Sequence, residues 1–300
     1  MIHYDLCIAW NWNHDADFVA LLDMAGREHG LSVLQITPHN LASSLQALAN
    51  AEQTFHTLFD RASDDDPRFM TLVQWAQENG LRFINAYEKA RRAWDKAEMH
   101  MEFLRAGVQV PHAFIIPPYN ELPELPLLDL SSLGSPFTIK PACRGGGEGV
   151  FNEATSWQEV LNARQEYPDG EYLLQAHVAP AQLGSRPAWF RVIYCVGQVH
   201  PCWWDGRTHI YTPLSPAEEA EYALSPLRDM TLCIADLCEL ELFSTEIALS
   251  MDGRFFAVDY VNDPIDLRLQ SKATDGVPDE IVHAIAEQLA AFVKRIGSPA

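Results

Sequence analysis

Residues 136–151 read PFTIKPACRGGGEGVF, and the interpretation of the whole chain turns on them. Phe137, Thr138 and Ile139 are aromatic or β-branched and predict a short strand. Lys140 ends that run and Pro141 closes it. Gly145, Gly146, Gly147 and Gly149 follow, interrupted only by Glu148, and Val150 and Phe151 resume strand character. A lysine at a strand end followed by a glycine-rich turn suits a polyphosphate. Glycines let backbone N–H groups approach phosphate oxygens, and the lysine adds a fixed positive charge. Alone, the stretch reads equally well as a flexible β-hairpin with a surface lysine, so its neighbours must decide.

Composition narrows the field. With 300 residues the chain can bury a large core, and more than one domain is the default. Lys plus Arg number 21 against 41 Asp plus Glu, a net charge of −20, which disfavours non-specific binding to nucleic acid or anionic membrane. A local basic pocket for a nucleotide stays compatible with that charge. The six cysteines, Cys7, Cys143, Cys195, Cys202, Cys233 and Cys238, include no C-x-x-C pair and predict reduced structural thiols. The N-terminus lacks a basic start and a long apolar run, and no stretch reaches membrane-spanning length. The expectation is a soluble cytoplasmic protein with neither nucleic acid nor membrane as partner.

Upstream of the glycine-rich stretch, strands and helices alternate. Strands are predicted over 4–10, 31–36, 54–59 and 83–85, and helices over 16–29, 41–51 and 69–79, with Gly30 and Gly80 as stops. That alternation predicts an open α/β sheet whose ligand edge lies beyond the strand C-termini, at 11–15. Trp12 and His14 in that loop read equally as packing and capping residues. Asn85 and Glu88 have capping-box spacing for one helix over 86–105, which carries Lys96. Downstream of the stretch, Ser156 and Glu159 cap a helix through 165, and 172–178 is a strand. Residues 190–196 and 198–204 form a hairpin about Gly197, followed by an irregular arm to Pro213. Ser215, Pro216 and Glu218 start a helix, and a second runs from Pro226 to about Leu240. A last hairpin pairs 242–250 with 255–261 across Asp252–Gly253, and 278–295 is an amphipathic closing helix.

The ordered segments NAYEKARRAWDK (85–96), FTIKPACRGGGEGV (137–150), YLLQAHV (172–178), WFRVIYCVGQV (189–199) and LFSTEIALSMDGRFFAVDYVNDP (242–264) resemble the ATP-grasp enzymes, of the glutathione synthetase and RimK type. The resemblance implies an α/β N-terminal pre-ATP-grasp domain (1–85). An ATP-grasp module of two α+β subdomains would follow (86–178 and 179–300). It implies that Lys96 and Lys140 flank ATP, with Arg144, Gly145, Gly146, Gly147 and Gly149 over its phosphates. Leu173, Leu174, Gln175 and Val178 would form the adenine hinge. Arg191, with Lys140, would hold the transferred phosphoryl group. Glu246, Asp259 and Asn262 would bind Mg²⁺, with Mn²⁺ an alternative. Substrate contacts are expected from His14, Trp203, Arg207, Arg268 and Ser271; Trp203 and Trp204 alternate in facing, so at most one lines the site.

The implied activity is that of an ADP-forming carboxylate–amine ligase working through an acyl phosphate on small-molecule carboxylate and amine substrates, with a homodimer as the superfamily expectation. A kinase of the same fold and a non-catalytic nucleotide binder are the alternatives. Three departures stand out, one of them Cys143–Arg144 beside the glycine-rich turn, where Arg144 could reach a phosphate and Cys143 reads as merely small. Ala176 occupies the place where the hinge usually carries a carboxylate, with Gln182 as a substitute. Asp259 and Asn262 are three apart, so both reach one metal only if the strand ends or bulges near Val261; otherwise Asp263 is the ligand.

Overall fold

The first sheet forms because its central strand is apolar on both faces. In the computed structural model, which describes residues 1–297, Leu6, Cys7, Ile8 and Ala9 of β1 (Ile2–Trp10) are all fully buried. Helix α1 (Ala16–Glu28) leads to β2 (Val33–Ile36), and α2 (Leu41–Ala49) to β3 (Gln53–Arg61). Helix α3 (Met70–Glu78) leads to β4 (Arg82–Ile84). The strands pair in parallel in the order β2-β1-β3-β4. Leu6 and Ile8 face Phe18, Leu22 and the C-terminal helix, whereas Cys7 and Ala9 face Leu41, Leu48, Leu72 and Val73 of α2 and α3.

The single helix expected over 86–105 is two. Helix α4 (Tyr87–Trp94) stops at Asp95, which is extended and whose carboxylate accepts from the amides of Ala97 and Glu98 to cap α5 (Lys96–Ala106). Aspartate competes for backbone amides in this way, which interrupts one helix and starts the next. Asn85 caps nothing. It sits at φ +56°, donates to Leu242 O and to the Asp263 carboxylate, and accepts from the amides of Glu241 and Leu242. Through those bonds it ties the end of the first sheet to the last hairpin. The helix break also makes Lys96 the first residue of α5, with its amide 2.9 Å from Ala142 O at the end of the lysine strand.

The second sheet takes the order β5-β8-β6-β7 from β5 (Ala113–Ile116), β6 (Phe137–Pro141), β7 (Phe151–Ala154) and β8 (Tyr172–Ala176). Helix α6 (Trp157–Glu166), closed at its start by the Ser156/Glu159 capping box, covers Ile139, Ala154 and Leu174 with Val160. A small hairpin, β9 (Gln182–Leu183) with β10 (Arg186–Pro187), leads into the third sheet. That sheet is antiparallel, in the order β13-β12-β11-β14-β15, built from β11 (Trp189–Cys195), β12 (Gln198–Asp205), β13 (Ile210–Pro213), β14 (Leu242–Leu249) and β15 (Phe255–Asn262). The arm read as irregular therefore contributes an edge strand, β13.

Phe190, Val192, Trp203 and Ile247 on one face of the third sheet pack with Leu224 and Leu227, where α7 (Pro216–Glu221) gives way to α8 (Pro226–Cys238). The other face presents Ile193, Cys202, Trp204 and Leu242 to α9 (Asp279–Gly297) and the first sheet. The buried residues of α9, from Ile281 and Val282 through Ile285 and Leu289 to Val293, follow helical spacing and wedge between the two sheets. Among the described residues no helix is long and apolar enough to cross a membrane.

Candidate active site

The site is built on two bulges in β15. On β14, Ser244 and Glu246 are two apart and share a face; their partners on β15 are Asn262 and Asp259, three apart. The extra residue turns the i, i+3 pair onto the face of Glu246, which straight strand geometry would forbid. A second shift lies between the Glu246/Asp259 and Ile247/Ala257 pairs. It frees the Val258 carbonyl, which accepts from Lys140 Nζ at 3.0 Å. Arg191 on β11 lies directly opposite Glu246 and joins the same face. Its guanidinium approaches Glu246 Oε1 at 3.4 Å and Ser244 Oγ at 3.2 Å, while Trp189 Nε1 donates to Glu246 Oε2 at 3.0 Å. Thus Lys140 of the second sheet and Arg191, Glu246, Asp259 and Asn262 of the third meet across one gap. Asp263 turns away to Asn85 and a small cavity with Asp60 and Ser63, so it does not join this group.

The electrostatics divide the two carboxyls. Burial pushes the Glu246 pKa up, reinforced by Asp259 and only partly opposed by Arg191 and Lys140. Asp259 is also buried, but Lys140, Lys96 and Arg191 outweigh that and hold it down. Burial pulls the Lys140 pKa down, resisted by Asp259 and Glu246. Burial opposes the charge on Arg191, yet Tyr211, Glu246, Asp259 and Asp266 raise its pKa overall. Among the described residues no three His, Cys, Asp or Glu side chains are arranged to hold a metal unaided. Two carboxylates and an amide on one face do suit Mg²⁺, which takes few protein ligands and completes its shell with phosphate oxygens and water.

The glycine-rich turn follows directly on the strand that carries Lys140. Lys96 Nζ donates to Arg144 O, joining α5 to the turn. Gly146, Gly147 and Gly149 all have positive φ, between +61° and +78°, a backbone path that other residues rarely adopt. Cys143 beside it donates to Asp95, and burial with that carboxylate pushes its thiol up to about 11, so it is no thiolate nucleophile.

The hinge needs correcting. Strand β8 is an inner strand, paired to β5 on one side and β6 on the other, so the backbone of Leu173, Leu174 and Gln175 is committed to the ladder. Of the four hinge residues expected, Val178 alone lies beyond the strand. Gln175 instead sends its buried side chain to Tyr260 Oη at 3.2 Å, which also bonds His100 Nδ1. This network joins β8, β15 and α5 beneath the site, and no local sequence pattern announces it.

The residues expected to contact substrate do not form one group. His14 and Arg268 come together through Trp12, which stands 5.0 Å from the His14 ring and 5.8 Å from the Arg268 guanidinium. Ser271 is exposed on the same segment, and neighbouring Lys272 pairs with Asp17. Arg268 is not free to take a carboxylate, because Asp266 and Asp275 already bind it at 2.7 and 2.9 Å. Arg207 lies apart in the exposed turn after β12. Trp203 is core, 4% exposed and packed on Phe190 and Tyr222. Trp204 is the one on the site face, with the Arg191 guanidinium 4.9 Å from its ring and Tyr211 beside it. Sequence reasoning also missed Arg61 and Asp15, a buried ion pair that fixes the loop after β1 and donates to Ile265 O.

No protein-family model and no curated protein matches the sequence. Solved structures do. A RimK-domain ATP-grasp protein from Sphaerobacter thermophilus superposes with a TM-score of 0.65 at 17% identity, covering 96% of this chain and 99% of its own. D-alanine–D-alanine ligase from Bacillus anthracis, solved with ATP, gives 0.62 at 13% identity over 99% and 100%. The macrocyclase MdnC of Microcystis aeruginosa, bound to its precursor peptide MdnA, gives 0.63 at 11% identity over 95% and 99%. Superposition over nearly the whole chain on three such structures shows that this chain has the α/β fold seen in ATP-grasp proteins.

Proposed function

We propose that the chain is an ATP-dependent ligase that joins a carboxylate to an amine through an acyl phosphate, releasing ADP and phosphate. The observation that carries this reading is the doubly bulged strand. It sets Glu246, Asp259 and Asn262 on one face, opposite Lys140 and beside Arg191. Support in kind comes from the neighbours: one ligase of this fold, PsnB, was solved with Mg and ADP, and D-alanine–D-alanine ligase with ATP.

In this reading Lys96 and Lys140 neutralise phosphate charge from two sides. The amides of the Gly145, Gly146 and Gly147 turn cover the β- and γ-phosphates. Glu246, Asp259 and Asn262 hold Mg²⁺ or Mn²⁺, which shields phosphate oxygens when bound. A substrate carboxylate oxygen attacks the γ-phosphorus, and the bond to the β,γ-bridging oxygen breaks as ADP leaves. Arg191 holds the transferred group. The amine then attacks the acyl carbon, phosphate departs, and the amine loses a proton. Such chemistry rests on positioning and charge more than on a side-chain nucleophile, which agrees with the protonated Cys143 beside the turn.

The test is a turnover screen with purified protein, Mg²⁺, ATP and panels of carboxylic acids and amines. Phosphate release that needs both an acid and an amine, with hydroxylamine trapping a hydroxamate, is the expected result. ADP formation with the phosphoryl group retained on a hydroxyl acceptor overturns it in favour of a kinase. ATP binding without ADP formation across the panels overturns it in favour of a nucleotide-binding protein.

A further inference from the structure

Tyr167 follows the last turn of α6 and lies against the glycine-rich turn over 142–150. Three residues of that turn touch it. The Arg144 guanidinium carbon stands 4.6 Å from the centre of the Tyr167 ring. The Tyr167 hydroxyl donates to Glu148 Oε1 at 3.0 Å. Arg144 and Glu148 approach each other at 3.8 Å, closing the triangle. Gly149 fits against the ring only because it has no side chain, since a Cβ there would come within 2.5 Å of Tyr167 Cε2 and 2.9 Å of Pro141 Cγ. The shape match at Gly149 and the polar contacts at Arg144 and Glu148 thus seat the turn on one ring from both ends.

Each contact is weak alone, as exposed cation–π and ion pairs are. Their joint effect falls on a segment that is otherwise hard to order, because glycines have the most conformational freedom to lose. A turn already seated loses less freedom when it closes over a ligand, and the ligand binds more tightly for it. We propose that Tyr167 is a positioning residue of the nucleotide site: it docks the glycine-rich turn in place, so that the Gly145, Gly146 and Gly147 amides are held beside Lys96. The assignment rests on the proposed function in one respect, that this turn covers the phosphates.

Trypsin provides a test that does not require turnover, because Arg144 is an exposed cleavage site inside the turn. Ligand-free wild type, Tyr167→Phe and Tyr167→Ala are digested under native conditions, and cleavage after Arg144 is followed by mass spectrometry. Binding of Mg–ADP is measured in parallel by calorimetry. Tyr167→Ala is expected to be cut after Arg144 about tenfold faster, with other tryptic sites unchanged, and to bind Mg–ADP about fivefold more weakly. Tyr167→Phe keeps the ring and loses the Glu148 bond, so it should fall between; it carries the same test if the alanine variant does not fold. Cleavage of both variants at the wild-type rate overturns the proposal, and so does acceleration at all sites equally, which marks general destabilisation. If cleavage rises but wild type binds no nucleotide, the docking stands and the covering role is overturned together with the proposed function.

Discussion

Replacing Arg61 with leucine should destabilise the chain by about 3–5 kcal/mol at neutral pH, and by less in acid. Arg61 closes β3, and its guanidinium donates to both oxygens of Asp15, at 2.8 and 2.7 Å, and to Ile265 O at 2.8 Å. The two side chains are 2% and 3% exposed, so water cannot replace a lost partner. Leucine would keep apolar contact with Phe18 and Phe59, whose rings now lie 5.4 and 5.7 Å from the guanidinium carbon. The pair itself contributes little net stability, because desolvating two ions offsets their attraction; the cost comes from stranding one of them. The unpaired Ile265 carbonyl adds about 1–3 kcal/mol, partly overlapping the first term because the groups share one network. Arg61 also opposes the burial-raised pKa of Asp263, Asp64 and Asp60, so without it these carboxyls take up protons more readily, and each pH unit toward acid makes that about 1.4 kcal/mol easier. The deficit must therefore shrink as pH falls, and Asp15→Asn combined with Arg61→Leu should recover most of it. Urea unfolding followed by tryptophan fluorescence at pH 7 and pH 5.5 on wild type, R61L and the double variant gives each quantity. A loss under about 1 kcal/mol at pH 7, or an equal loss at both pH values, would refute the reasoning.

Three further outcomes follow from the site. Lys140→Met should lower ATP-driven ADP formation at least ~100-fold while the variant still unfolds cooperatively, because it removes the buried cation bonded to Val258 O; near-wild-type turnover would sink the assignment. Mg²⁺ needs Glu246 ionised, and burial raises its pKa, so Mg²⁺ affinity should begin to fall at a higher pH than for an ordinary carboxylate. Calorimetric titrations at several pH values check this, and a profile flat from neutral down to the ordinary carboxylate range counts against Glu246 as a ligand. At Gly276, which closes the segment carrying Arg268 and Ser271, an alanine Cβ would lie 2.5 Å from Arg268 O and 2.9 Å from Ala273 O. Both are backbone atoms, so Gly276→Ala should cost about 1–3 kcal/mol in urea unfolding, and an unchanged midpoint would show that the segment yields freely.

Local signals located most of the elements. The β-branched and aromatic runs, the helical spacing of α1 and α9 and the capping boxes at Ser156 and Ser215 are all short-range patterns, and strands and helices stand where those patterns lie. The failures share a different cause. Asn85 and Glu88 have the spacing of a cap, but Asn85 spends its hydrogen bonds on Leu242 and Asp263, more than 150 residues away, and Asp95 supplies the cap that matters. Leu173 and Leu174 look like a hinge that backbone groups could read, but β8 is an inner strand, and only sheet order reveals that. Trp203 and Trp204 show the limit most simply. Alternation demands that they face opposite ways, while which one meets Arg191 depends on the register of β12 against β11. Tyr167 carries no signal at all, since its contacts run to a turn about twenty residues upstream.

A net charge of −20 is by itself a poor basis for binding a polyphosphate, but the charges around Glu246 are distributed unlike the chain's average. Charges spread over a surface are screened beyond about 8–10 Å in physiological salt, whereas charges in a gap with little water act at lower effective dielectric. Lys140 and Arg191 are drawn into such a gap, and Lys96 stands at its edge. Without ligand, those cations are held by Glu246 and Asp259. Among these five groups three cations face two carboxylates, with Asp266 a further acid acting on Arg191. A divalent ion on Glu246 and Asp259 would add two positive charges without adding a basic residue. Under the proposed function the carboxylates would have two uses: they make it possible to bury Lys140 and Arg191 before a nucleotide arrives, and they would recruit the metal that comes with it. The bulges in β15 serve both, since they place Asp259 and Asn262 beside Glu246 and give Lys140 the Val258 carbonyl. A straight β15 would leave Lys140 without that acceptor and Asn262 on the wrong face.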